Sequence, residues 1–165
     1  MKKAALLVVG LICSATLAQE SGAPPALYKS SAELKAELEE AVAAAASATG
    51  WSITISPGIT IRRRTGAVNN YAIIHPHSME IYRILEGSGT LVTGGILNEP
   101  LEPQTSDDLI RTGHGISGGL AREVSAGDVL VLQPGTPHWF SAVGADGITY
   151  MESRVRVSTH PIQYQ

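Results

Sequence analysis

Cysteine is almost absent from this chain. Cys13 is its only thiol, and it lies inside an N-terminal apolar run, so no disulfide framework and no thiolate metal cage can be built from the rest. Charge is also sparse, at 16% against 44% hydrophobic residues, which excludes a disordered polar chain and leaves enough apolar sequence for one globular core. Basic residues do not dominate: twelve Lys and Arg stand against fifteen Asp and Glu, a formal net charge of -3. That balance argues against nucleic acid as a partner, and no helix-turn-helix segment is visible. Beyond the N-terminus no apolar run is long enough to cross a bilayer, and no repeat period suggests a solenoid or propeller.

What is present begins with "MKKAALLVVGLICSATLAQE": two lysines, an apolar run from Ala4 to Ile12, then small residues at Ala15, Thr16 and Ala18. This is the layout of a secretory signal, too short in its apolar part to span a membrane comfortably, and cleavage is expected after Ala18. A lipidated Cys13 is disfavoured by the bulk of Ile12 before it. Removal of Met1 to Ala18 takes Lys2 and Lys3 and no acid, leaving a net charge of -5. The expectation is an exported protein, periplasmic or secreted. It divides into a signal peptide (1–18), a linker with an N-terminal helix (19–50), a β-barrel (51–158) and a tail (159–165).

"SSAELKAELEEAVAAAASATG" predicts a helix capped by Ser30 or Ser31, with Glu33 in its first turn, Leu34, Leu38 and Val42 as one apolar stripe, and Gly50 as its stop. From Trp51 the texture changes to short runs of Val, Ile, Thr and Tyr bounded by Gly, Pro, Asn or Asp. Predicted strands are Ile59 to Thr65, Asn70 to Pro76, "EIYRILEG", "GTLVTGG", two pieces of "REVSAGDVLVLQPG", "HWFSAV" and "GITYMESRV". Such a series without helical interruptions indicates an all-β sandwich or barrel. Between Ile96 and Gly119 lies one long connection, the kind that is usually a lid or a mobile excursion. Open sheet edges and the apolar stripe of the helix make a homodimer the expected assembly.

The chemistry concentrates in "HPHSMEIYRILEG". Imidazole and carboxylate suit Fe, Mn, Ni, Zn or Cu, and residues two apart on a strand share a face, so His75 and His77 are expected to point the same way. Glu80 joins them only if a tight turn at Ser78 and Met79 resets the alternation. Downstream, "GDVLVLQPGTPHWF" offers a strand, a Pro-Gly turn and His138, placed to supply a further nitrogen.

At these residues the chain resembles a small single-domain cupin. The family's first motif runs H-x-H, three or four residues, E, six residues, G; here His75, Pro76 and His77 are followed by Glu80 and then Gly87. Its second runs G, five residues, P-x-G, two residues, H; here Gly127 is followed by Gln133, Pro134, Gly135 and His138. Only two residues separate His77 from Glu80, and Gln133 replaces a proline. The resemblance extends from about Ile59 to Val155. It implies a jelly-roll barrel, or double-stranded β-helix, holding one divalent metal ion through His75, Glu80 and His138, with His77 as a fourth ligand. Some cupins have one histidine five positions before the acid, which would be His75 and would leave His77 beside the shell or facing substrate. Glu80 is a ligand or, if released, a general base.

The function so implied is a metal-dependent enzyme of oxygenase, isomerase or lyase type acting on a small organic molecule. The alternative is a non-catalytic small-ligand binding or storage cupin with a vestigial or structural site. Tyr82 shares Glu80's face and, with Phe140, is a candidate to line the pocket, with plain core packing as the alternative for both, whereas Trp139 faces away. The Arg62, Arg63, Arg64 run offers a binder for an acidic substrate, but most such runs are solvated. His114 and His160 are expected to be exposed, and Asp107 and Asp108 beside His114 do not make a second metal site without further spaced ligands. The glycines at 87, 89, 94 and 95 are turn glycines, since no lysine and no helix follows as in a phosphate loop.

Overall fold

The structure, a computed structural model, describes residues 24–66 and 71–157. The expected signal peptide, the tail and His160 lie outside the described residues. Among the described residues one helix, α1 (Ser31–Ala44), precedes ten strands. Its start is the expected one: the Ser30 hydroxyl accepts from the Glu33 N–H while the Glu33 carboxylate accepts from the Ser30 N–H, a reciprocal capping box. Its end is not. The helix stops at Ala44 with Ala45 as cap, and Gly50 instead opens β1 (Gly50–Ser56), against which α1 packs. The helix buries none of its residues.

The chain is all-β as expected, an antiparallel jelly-roll with one N-terminal helix. β1 pairs with β2 (Ile59–Arg64), which pairs with β10 (His138–Arg156), and β10 pairs with β3 (Ala72–Ile74) and with β4 (Ser78–Thr93). β4 also carries β8 (Leu120–Ser125) and β9 (Val129–Leu132). Within the long connection after β4, β5 (Ile96–Leu97) pairs with β7 (Ile116–Ser117), and β6 (Ile110–Thr112) pairs with β3. That connection is thus pinned to the sheet by short ladders.

Two strands are far longer than the glycine pattern predicts. "EIYRILEG" and "GTLVTGG" form the single β4, and "HWFSAV" and "GITYMESRV" form the single β10, with register shifts at Phe140/Ala142, Val143/Ile148 and Thr149/Tyr150. Gly87 explains the fusion. At φ +73 it lies against Gly147 and Ile148 of β10, where any Cβ would overlap the Gly147 carbonyl oxygen. The glycine bends the ladder without ending it.

The alternation of β4 and β10 sets the interior. Glu80, Tyr82 and Ile84 face the same side as Tyr150, Glu152 and Arg154, and the core of Tyr82, Ile84, Leu91, Val124, Leu132, Phe140, Ile148 and Tyr150 closes beneath them. One end of the barrel interior is therefore apolar, and the other is built from histidines, carboxylates and arginines.

Candidate functional site

His75 follows the last residue of β3, and Pro76 ends that strand because it has no N–H to donate. The turn falls at Pro76 and His77, two residues earlier than expected, and β4 already begins at Ser78. Parity is reset all the same, so His75 and Glu80 face inward together. His138 opens β10 beyond the Pro134–Gly135 turn, and that turn is tied to the first motif: the Gly135 N–H donates to the His75 carbonyl at 2.9 Å, with Gly135 at φ +80.

His75, Glu80 and His138 are 4%, 1% and 2% exposed. Glu80 Oε2 lies 3.1 Å from His138 Nε2, and Glu80 Oε1 lies 3.6 Å from His75 Nε2. The far side of each ring is fixed by a backbone carbonyl: His75 Nδ1 donates to that of Asp108, and His138 Nδ1 donates to that of Thr136 at 3.0 Å. Both Nε2 atoms therefore face the carboxylate, and His138 Nε2 stands within hydrogen-bond distance of it. His75 Nε2 is buried with no hydrogen-bond partner. The Tyr82 hydroxyl lies 3.1 Å from His138 Nε2, within hydrogen-bond distance.

The electrostatics follow from burial and from Arg154. Burial pushes the His75 pKa down, and Arg154 and His138 add to that; together they outweigh the pull of Glu80 and of the Asp108 carbonyl. Burial alone would raise the Glu80 pKa. The hydrogen bond and charge of His138, with His75 and Arg154, outweigh it and hold the carboxyl below its ordinary value. Arg154 Nε donates to Glu80 Oε1 at 3.0 Å. Burial raises the Tyr82 pKa well above the usual tyrosine value, which keeps the hydroxyl a donor.

His77 is not brought to this cluster. Its place in the turn breaks the expected alternation with His75, its ring is half-buried, and its backbone N–H donates to Asp108 Oδ1 at 2.7 Å. Tyr82 and Phe140 face inward as members of the buried core, their rings parallel within 10° and 6.4 Å apart. His114 is exposed, and Trp139 is half-buried on the opposite face from Phe140.

Three contributors were not visible beforehand. Asp108, from the long connection, accepts from the Ser78 hydroxyl and the His77 N–H with its side chain and from His75 with its carbonyl, so this connection builds the wall behind His75. Arg154 and Glu152 continue the cluster inward: Arg154 Nη2 donates to Glu152 Oε1 at 2.6 Å, and Arg62 Nε donates to Glu152 Oε2 at 2.6 Å. Their only sequence signal is strand alternation from Glu80 and Tyr150.

Among the described residues, no group of three or more His, Cys, Asp or Glu side chains already stands where it could hold a metal ion. Arg154 occupies one Glu80 oxygen, and the Tyr82 hydroxyl stands against His138 Nε2. The donor chemistry nevertheless fits one. Ligands about 2.1 Å from a metal lie about 3.0 Å apart at octahedral and about 3.4 Å apart at tetrahedral angles, close to the 3.1 and 3.6 Å found here. Histidines held at Nδ1 by carbonyls, with one Nε2 unpartnered, are the arrangement that orients imidazole toward a metal.

No family model matches the chain, and no curated protein matches its sequence. In fold it is similar to Peruvianin-I, a cysteine peptidase from Thevetia peruviana latex (16% identity, 65% of this chain and 60% of that one, TM-score 0.42). It is similar also to a cupin protein from Bacteroides fragilis (19%, 66% and 73%, TM-score 0.37) and to oxalate oxidase (20%, 64% and 48%, TM-score 0.38). Cupin proteins are thus among the solved structures it resembles. At these values nothing about chemistry passes from them to this chain.

Proposed function

We propose that this chain is a cupin that holds one divalent metal ion, Fe, Mn, Ni, Zn or Cu, through His75, Glu80 and His138, and acts there on a small organic molecule. One observation carries the reading: two imidazole Nε2 atoms and a carboxylate converge in a buried space. Imidazole nitrogens and a carboxylate at such spacing are the donor set that suits a divalent transition metal. A bound metal would polarise a substrate oxygen. The chain's own residues do the remainder. Tyr82 holds a proton at the edge of the site, Arg154 keeps Glu80 ionised as ligand or as base, and Phe140 with Tyr150 walls off water below. The Met1 to Ala18 pattern supports the further proposal that the protein is exported.

A second reading is favoured by the Arg154–Glu80 ion pair and the Tyr82–His138 hydrogen bond, which already satisfy much of the cluster. Under it the barrel binds a ligand by shape and the polar group is structural. Metal content separates the two. Protein purified without chelator and reconstituted is measured by plasma mass spectrometry beside His138→Ala and His77→Ala variants. About one equivalent in the parent and in His77→Ala, with little in His138→Ala, is the result expected for the metal site. No metal in the parent after reconstitution leaves the second reading.

A further inference from the structure

The barrel interior does not end at the histidine cluster. On β2, Arg62 and Arg64 share the inward face, opposite Tyr150 and Ile148 of β10 and opposite Ser52 and Gly50 of β1. On that face Gly50 and Ser52 are exposed, so the interior opens to solvent at the β1 edge. The opening is a cleft of about 170 Å³ lined by Gly50, Trp51, Ser52, Arg62, Arg63 and Arg64. At roughly 30 Å³ per water, that is room for a molecule of about five or six non-hydrogen atoms.

Three features set its preference. The ion-pair chain Glu80, Arg154, Glu152, Arg62 is balanced, and Arg64 adds a third guanidinium against two carboxylates on the same face. Arg64 has no carboxylate partner among the described residues; its Nε donates to the Tyr150 hydroxyl at 3.2 Å. Arg63 is already committed, to the Thr149 hydroxyl and the Asp146 carbonyl. Arg62 and Arg64 each use only Nε in described hydrogen bonds, which leaves the paired Nη groups of both for a ligand. Arg64 Nη1 lies over Gly50, where an added Cβ would stand 3.5 Å from it, so the absence of a side chain at residue 50 keeps the mouth clear.

We propose that this cleft is a binding site for a small oxyanion, a carboxylate or a phosphate, held by the Nη groups of Arg62 and Arg64 with Ser52 at its rim. Paired guanidinium N–H groups match two oxygens of such an anion in a way that lysine does not. Glu152 receives both Arg62 and Arg154, and Arg154 also holds Glu80, so one relay of charges joins the cleft to the histidine cluster. The site does not require a metal at that cluster.

The test is isothermal titration of the chelator-treated, metal-free protein with inorganic phosphate and with acetate, at ionic strength held constant by sodium chloride. Saturable one-to-one binding of at least one probe is expected, weakened about tenfold or more by Arg64→Gln, since a charge-assisted pair of hydrogen bonds is lost. Gln keeps a donor for the Tyr150 hydroxyl. Gly50→Val, which narrows the cleft and leaves every arginine in place, is expected to abolish binding and decides the matter if Arg64→Gln fails to fold. Binding of phosphate alone, acetate alone or both identifies which oxyanion the cleft prefers. No binding of either probe to about 10 mM, or binding that survives both substitutions, overturns the proposal and returns the arginine run to a solvated edge.

Discussion

Replacing Arg154 by Met tests the polar half of the barrel in one step. Glu80 and Glu152 are 1% and 5% exposed, and Arg154 bridges both. Removing one partner of a buried ion pair costs about 3–5 kcal/mol because the other charge is stranded. Two facts place the loss toward the lower end: the Arg154 side chain is itself 29% exposed, and Glu152 keeps Arg62. A loss of about 3 kcal/mol at pH 7 is expected, or a fall in Tm of roughly 6–12 °C for a domain of this size. Urea denaturation at pH 7 and at pH 4 measures it. Without the guanidinium the Glu80 carboxyl takes up its proton at higher pH, so the gap to the parent should shrink at pH 4. A loss below about 1 kcal/mol at pH 7, or one of equal size at both pH values, would refute the view that Arg154 compensates buried carboxylates.

Other expectations rest on different parts of the molecule. Gly87→Ala puts a Cβ into the Gly147 carbonyl at a positive φ and should cost about 3 kcal/mol or more, read by denaturation; a neutral result would mean that β4 and β10 do not cross so closely. Stability should rise with pH up to about 6.5, because the unfolded state protonates His75 below that value while the buried ring does not. A second loss is expected below about pH 4.5, where the unfolded chain takes up protons that Glu80 and Asp108, held below their ordinary values, do not bind in the fold. Tm measured from pH 4 to 8 checks both, and a maximum near pH 5 would contradict the first. On the outer face of β9, β4 and β10, Val129, Val131 and Val155 are more than half exposed beside Ile81 and Met79, so light scattering should give the mass of a homodimer; a monomer mass over a wide concentration range would remove that expectation.

Much of this architecture is legible in the sequence where a local rule decides it. The capping box at Ser30 and Glu33, the inward Glu80, Tyr82 and Phe140, and the turn before His138 all follow from capping, alternation and proline placement. The glycines misled where tertiary contact decided. Gly87 reads as a stop, yet it is the point at which two long strands cross. Gly50 reads as the end of a helix, yet it opens β1, where Trp51, Ile53 and Ile55 alternate with Ser52, Thr54 and Ser56. His77 is displaced by its own neighbour, since Pro76 ends β3 and puts the turn on His77. Arg154, Glu152 and Asp108 reach the site from far along the chain, and nothing in their immediate neighbours marks them. Their roles appear only when β10 pairs with β4 and the long connection folds back over His75.

The most direct measurement is a crystal of metal-loaded protein examined by anomalous scattering at the edge of the bound metal. The expected result is a single peak inside the barrel, about 2.0–2.2 Å from His75 Nε2, His138 Nε2 and a Glu80 oxygen, with Arg154 and Tyr82 drawn off those atoms. A peak elsewhere, or none in fully reconstituted protein while Arg154 still grips Glu80, would contradict the assignment of these three side chains to a metal.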